Sequence, residues 1–199
     1  MFASVCGMAN PVPGYLNRVV VGLLSACLLA MLFGMAVARA DTRIRDPMEH
    51  FFNQSFADLP DEVAQSKKEG RFGIMLMFGN DDCPWCSKMK ATIFNQVPVQ
   101  DYFRKHFRII EIDTEGDTSM VDFDGKEMSQ KDFAFRVHRV RATPVFKFFD
   151  LNGKELVKHL GTAKTPEEFI WLGEFVVDGH YKSGRFNVYK REKTKAQQQ

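Results

Sequence analysis

Cys83 and Cys86 flank Pro84 and Trp85, and two thiols three positions apart can close a small disulfide ring. The neighbouring residues set the chemistry of the pair. Phe72-Gly73-Ile74-Met75-Leu76-Met77-Phe78 is an apolar run of strand length, and Gly79-Asn80-Asp81-Asp82 is a short polar link. After Cys86, the residues Met89, Ile93 and Val97 recur at helical spacing, with Lys88 and Lys90 interrupting the stripe. The pattern predicts a buried strand, a tight turn, and a helix ending near Gln96 whose first turn carries both cysteines. Pro84 suits that first turn, where its missing N–H is no loss. A helix N-terminus favours an anion, so Cys83 is expected to ionise more easily than a free cysteine. Cys86, one turn in and aligned with the apolar stripe, is expected to be the more buried sulfur. The chemistry is that of a redox site.

The elements that must hold this pair are legible on either side of it. Asp46-Pro47-Met48 opens an expected helix through Phe56 with Phe51, Phe52 and Phe56 as its apolar side; a second runs from Leu59 to about Lys68 and stops at Gly70. Val97-Pro98-Val99 breaks the helical pattern, and Asp101 to His106 is expected to form a further helical turn. Phe107 to Asp113 has strand composition. Thr114 to Ser129 is rich in Asp, Gly, Ser and Thr, and Asp124-Gly125 marks a turn in a surface excursion or small hairpin. Its acids lack the alternate spacing and terminal Glu of a calcium loop. Lys131 to Val140 is expected to be a short helix. Thr143-Pro144 leads into the strand Val145 to Asp150, Leu151 to Lys154 turns, and Glu155 to Leu160 returns as a strand. Thr165-Pro166-Glu167-Glu168 is an N-cap, a proline and two acids opening a helix to about Asp178. The order β, α, β, α, hairpin, α predicts an α/β fold with a central mixed β-sheet flanked by helices.

Residues 1–40 contain no Asp or Glu, and Arg18 precedes the apolar run Val19 to Val37. Ala38-Arg39-Ala40 then presents the small-x-small pattern of a cleavage site. The segment is read as a cleaved signal peptide, with an uncleaved inner-membrane anchor over 19–37 as the alternative, since ~20 apolar residues can span a bilayer. Leu24-Ser25-Ala26-Cys27 resembles a lipoprotein box, but its cysteine lies in the middle of the run. The organisation expected is a signal peptide over 1–40, a helical extension over 41–59, the main domain over 60–185 and a polar tail over 186–199. Beyond residue 40 basic and acidic side chains balance, and no basic block interleaves with aromatics, which argues against nucleic acid. The 19 Phe point to a well-filled core. Export implies an oxidising compartment, the periplasm, where a lone cysteine pair serves as a structural disulfide or a redox couple.

With these residues placed, the chain resembles the thioredoxin superfamily over roughly Pro60 to His180. The strand before the motif, Cys83-Pro84-Trp85-Cys86 at a helix start, Thr143-Pro144 before the next strand, and the closing hairpin and helix carry the likeness. It is similar to exported bacterial thioredoxin-like proteins, including those associated with sulfur oxidation, on Thr143-Pro144-Val145-Phe146 and Phe175 to Tyr181. The resemblance implies a thioredoxin-like fold and a thiol–disulfide oxidoreductase needing no cofactor. Cys83 would be the nucleophile and Cys86 the resolving thiol. Pro84, Trp85, Thr143 and Pro144 would contact the substrate, with Thr143-Pro144 in cis. The implied partners are protein or small disulfide substrates and a membrane thiol-transfer protein as electron donor, the protein itself being a monomer. Two departures stand out. The position six residues before the first cysteine, where many thioredoxins bury an acid behind the second cysteine, is Met77. The inter-cysteine pair is Pro-Trp rather than the Gly-Pro of cytosolic thioredoxin.

Other classes fit the pair less well. Copper or zinc delivery would join the thiols to one of five His, yet there is no second Cys-x-x-Cys and no His pair at finger spacing. Ser87 follows Cys86, so the haem-attachment pattern is absent. A disulfide oxidant of the same fold, or a domain keeping the fold without turnover, are the further alternatives. Mass analysis of the exported protein is expected to give a chain beginning at Asp41; a product retaining Arg18 would mean an anchor. Thiolate absorbance of the reduced protein is expected to place the Cys83 midpoint below the free value of ~8.5.

Overall fold

The computed structural model describes residues 44–198; the leader, anchor and lipoprotein-box readings fall outside them. No helix of the described residues is long and apolar enough to cross a membrane. The chain runs α1 (Pro47–His50), α2 (Leu59–Lys68), β1 (Gly73–Gly79) and α3 (Pro84–Met89), which continues as a π-helical turn (Lys90–Phe94). Next come α4 (Val97–His106), β2 (Phe107–Asp113) and the small hairpin β3 (Ser119–Val121) and β4 (Glu127–Ser129). After α5 (Gln130–Asp132) and a second π-helical turn (Phe133–Val137) follow β5 (Val145–Phe149), β6 (Glu155–Leu160), α6 (Pro166–Val177) and α7 (Phe186–Ala196).

The main sheet has the order β2-β1-β5-β6, with β1 and β2 parallel and the other pairs antiparallel. All seven residues of β1 are buried, as a central strand covered on both faces requires. Its alternate side chains feed two cores. Met75 and Met77 pack with Phe146 and Phe148 of β5 against α3, α4 and α6. Ile74, Leu76 and Phe78 pack with Ile110 and Ile112 of β2 against Leu59, Met120 and Phe133. The first core is aromatic: Phe51 stacks on Phe94 at 4.4 Å and Phe103 on Phe169 at 4.5 Å. Truncating any one of these to Ala would cost about 3–5 kcal/mol. Gly73 permits the closest approach in the sheet, since a Cβ there would lie 2.1 Å from the Phe149 carbonyl oxygen.

Several elements differ from the sequence reading, each for a tertiary reason. The helix expected over Asp46 to Phe56 is one turn. Asn53 leaves it to bond the β2 backbone, its N–H donating to the Ile109 carbonyl and its Oδ1 accepting from the Ile109 N–H, both at 2.8 Å. Phe51 and Phe52 turn into the core, whereas Phe56 is 97% exposed. The cysteine helix stops at Phe94 before the Val97-Pro98-Val99 break, but the next helix opens at Val97, with Pro98 in its first turn, rather than at Asp101. The helix expected over Lys131 to Val140 is a turn of α5 that widens into a π-helical turn, and Arg139 at a φ of 52° ends it. The polar 186–199 segment holds α7, with Phe186 and Tyr189 against Phe175, and with Lys190–Glu168 and Lys193–Glu174 ion pairs of 2.8 and 2.6 Å to α6. Asn187, Arg191, Glu192 and Lys195 lie on the outer side of the helix.

The second core also takes in a polar chain. Lys147, buried on β5, donates to Glu155 at 2.6 Å and reaches His138 Nδ1 at 3.0 Å. Because an ammonium only donates, Nδ1 is the acceptor and the His138 ring is neutral. Burial among Phe78, Phe133 and Phe149, then the Lys147 charge, lower its pKa to about 4. Glu155 opposes the shift, as more weakly does Asp122, while Lys158 adds to it. The unfolded chain therefore binds the extra proton first, at about 6.5. Stability contributed by the neutral ring is full above about pH 6.5 and is lost as pH falls toward about 4. Allowing for partial solvent access, the loss is about 2 kcal/mol. His106 and His159 are shifted the same way by burial, so the check is comparative. In chemical denaturation at pH 7 and pH 4.5, His138→Gln is expected to lose less stability between the two than the wild type.

Candidate active site

The polar link after β1 delivers Cys83 to the start of α3. Thr114 donates its N–H to the Gly79 carbonyl at 2.7 Å, and Asn80 Nδ2 donates to Thr114 Oγ1 and Glu115 Oε1 at 3.3 and 3.1 Å. Cys83 is the N-cap residue, its Sγ accepting the Cys86 N–H at 3.1 Å, with Pro84 in the first turn. That contact satisfies a helix-end donor that would otherwise be unpaired. The two cysteines form a disulfide with Cα atoms 5.2 Å apart. Cys83 keeps 5% of its surface and Cys86 1%, so both are buried and the first is the less enclosed. Pro84 is exposed, and Trp85 is 55% exposed with Lys88 Nζ 5.5 Å from its ring centroid.

Thr143-Pro144 is cis. Pro144 is buried and Thr143 half-buried, and the Pro144 carbonyl accepts from the Gly161 N–H at 3.0 Å. Phe78 near the end of β1 pairs with Val145 at the start of β5. The cysteine turn and Thr143-Pro144 therefore leave the sheet at one end. A cysteine pair beside an exposed indole, at this end of the sheet, can exchange with a thiol when oxidised, as here, and with a second disulfide when reduced.

The charged groups nearby are not all where the sequence draws attention. Asp81 and Asp82 of the turn are exposed, and Met77 is fully buried. The carboxylate on this side of the sheet comes from β2: Glu111 is the register partner of Met77 and pairs with Lys90 Nζ at 2.8 Å. The available signal was Glu111 itself, a charge set between Ile110 and Ile112 in the middle of the strand. Only strand register places it beside the cysteine helix. A cleft of about 270 Å³, lined in part by Gly79, Asn80, Asp81, Glu111 and Gln130, opens next to the turn. Among the described residues, no three His, Cys, Asp or Glu side chains cluster to hold a metal.

The fold is that of a solved structure with modest identity to this chain. A thioredoxin-fold protein from Helicobacter pylori matches with a TM-score of 0.57 and 21% identity, over 75% of this chain and 95% of its own. A thioredoxin from Thermus thermophilus matches with a TM-score of 0.47 and 19% identity, over 68% and 87%. The oxidised DsbD C-terminal domain from Neisseria meningitidis matches with a TM-score of 0.45 and 18% identity, over 62% and 97%. No curated protein matches the chain in sequence. The family model for the thioredoxin-like domain matches residues 59–176. That segment takes in β1, the cysteine pair, the cis bond and nearly all of α6, more than half of the chain, and the protein therefore belongs to the thioredoxin-like domain family of the thioredoxin superfamily.

Proposed function

We propose that the protein is a periplasmic thiol–disulfide oxidoreductase that reduces disulfides of exported proteins or small molecules. The observation that carries this reading is the disulfide between Cys83 and Cys86 at a helix start, within a member of the thioredoxin-like domain family. In the reduced protein the Cys83 thiolate attacks a substrate sulfur. A Cys83–substrate bond forms, the substrate disulfide breaks, and its second sulfur leaves as a thiolate that takes a proton from water. Cys86 then attacks Cys83, releasing the first substrate sulfur and closing the disulfide seen here. Two electrons pass from the cysteine pair to the substrate. The second attack is intramolecular and therefore fast.

Trp85 and Pro84 offer an exposed apolar surface to a substrate, and the Thr143 backbone, next to the cis bond, offers pairing to an extended segment. No cofactor enters the reaction. Each turnover leaves the pair oxidised, so a reductant must restore it; a membrane thiol-transfer protein fits that need in the periplasm, as does a leader over residues 1–40. The reductant direction is preferred to the oxidant one on the exposed Trp85, on Thr143, and on there being no large helical insertion among the described residues.

The test divides the two thiols. Cys86→Ser, made in the exporting cell, is expected to accumulate covalent complexes that vanish with reductant on denaturing gels. Cys83→Ser is expected to accumulate few. Mass spectrometry of the trapped species would identify the substrate and the electron donor. Equal trapping by both variants would reverse the nucleophile assignment. No trapping by either, together with no disulfide reduction by the wild type, would leave the pair a structural or metal-binding role.

A further inference from the structure

Cys86 must lose its proton before it can attack Cys83, yet only 1% of its surface meets solvent. Burial in apolar surroundings disfavours the thiolate, so the resolving step needs a proton acceptor inside the protein. The residue six positions before Cys83, Met77, cannot serve.

Gly79 is the point that the sulfur and a carboxylate both approach. A Cβ built there would lie 3.1 Å from Cys86 Sγ, 3.5 Å from Glu111 Oε1 and 3.5 Å from Met77 Cε. The missing side chain leaves a space that adjoins both the thiol and the carboxylate. Lys90, one turn beyond Cys86 on the same helix, holds Glu111 Oε1 at 2.8 Å, and both side chains are largely buried at 26% and 21% exposure. Glu111 and Gly79 also line the cleft beside the turn, which is wide enough for water. The other charged groups lining that cleft are Asp81 and Asp113.

We infer that Glu111, held in place by Lys90, takes the Cys86 proton during resolution of the mixed disulfide and returns it to water in the cleft. The step rests on the oxidoreductase reading above. The proton moves from Cys86 Sγ to a Glu111 oxygen, directly or through one water beside Gly79. The Cys86 thiolate bonds to Cys83 Sγ as the bond from Cys83 to the substrate sulfur breaks. That sulfur leaves with the electron pair and is protonated by solvent.

The test uses the reduced protein and dithionitrobenzoate, whose chromophore is released twice: once when Cys83 attacks, and again when Cys86 resolves the mixed disulfide. In stopped flow near neutral pH, Glu111→Gln is expected to leave the first phase within twofold of wild type. It is expected to slow the second about a hundredfold, the scale of general-base catalysis. Removing a nearby negative charge would by itself ease Cys86 ionisation and speed the second phase; an unchanged or faster second phase therefore overturns the inference. Slowing of both phases alike, with loss of stability, would make Glu111 a structural residue and also overturns it. Lys90→Met keeps the carboxylate and provides the independent check. With the cation gone, the pH midpoint of the second phase is expected to rise while the first phase holds; an unmoved midpoint counts against the pair. A wild type that releases no second chromophore would sink the oxidoreductase reading itself. A normal wild type with a normal Glu111→Gln sinks only the role of Glu111.

Discussion

The site depends on β1 being buried on both faces. Burying side chains of the size of Ile74, Met75, Leu76, Met77 and Phe78 contributes about 1.5–3 kcal/mol each, and all five are fully buried here. The strand lies between β2 and β5, so its end is held from two sides. Gly79 and the turn behind it inherit that rigidity, and Cys83 enters α3 from a fixed point. The pairing of Phe78 with Val145 carries the same constraint to Thr143-Pro144. Neither the cysteine turn nor the cis bond could be moved without shifting a strand that has no room to shift: at its other end, Gly73 already touches the backbone of β5.

That rigidity governs where charge can be placed. An acid on β1 at position 77 would sit in a fully buried position, where an ionised group is expensive to hold without a partner. β2 is an edge strand of the main sheet. A carboxylate at Glu111 keeps the same depth along the sheet as Met77, yet meets a cleft on one side and Lys90 on the other. The opposite face solves the same problem differently, with Lys147 paired to Glu155 and to the neutral His138 ring. Both faces thus carry a buried or half-buried ion pair beside aromatic packing. Of the two pairs, the one involving Glu111 lies across Gly79 from a sulfur.

The parts legible in the sequence are those whose signals are local. The apolar run of β1, the two cysteines with Pro84 between them, the hairpin from Val145 to Leu160 and the capped start of α6 at Thr165-Pro166 each declare themselves within a few residues. The misread parts answer to distant partners. Phe51 and Phe52 look like one face of a helix, but their place is set by Phe94 and by Asn53 on the β2 edge. The tail looks solvated because charged residues and glutamines dominate its composition; its helix rests on Phe175 and two acids of α6.

By itself the sequence determined the α/β class, the strand that bears the cysteine turn, and the thiol pair, because hydrophobic period and cysteine spacing are properties of short stretches. Only the tertiary structure decided that both sulfurs are buried, that Thr143-Pro144 leaves the sheet at the end where the cysteines do, and that Glu111 and Lys90 meet beside Cys86. The physical reason is register. Residues on separate strands become neighbours through the pairing of whole strands, and a carboxylate on β2 is read as a surface charge until the parallel alignment of Met77 with Glu111 sets it on the cysteine side of the sheet, across Gly79 from the sulfur.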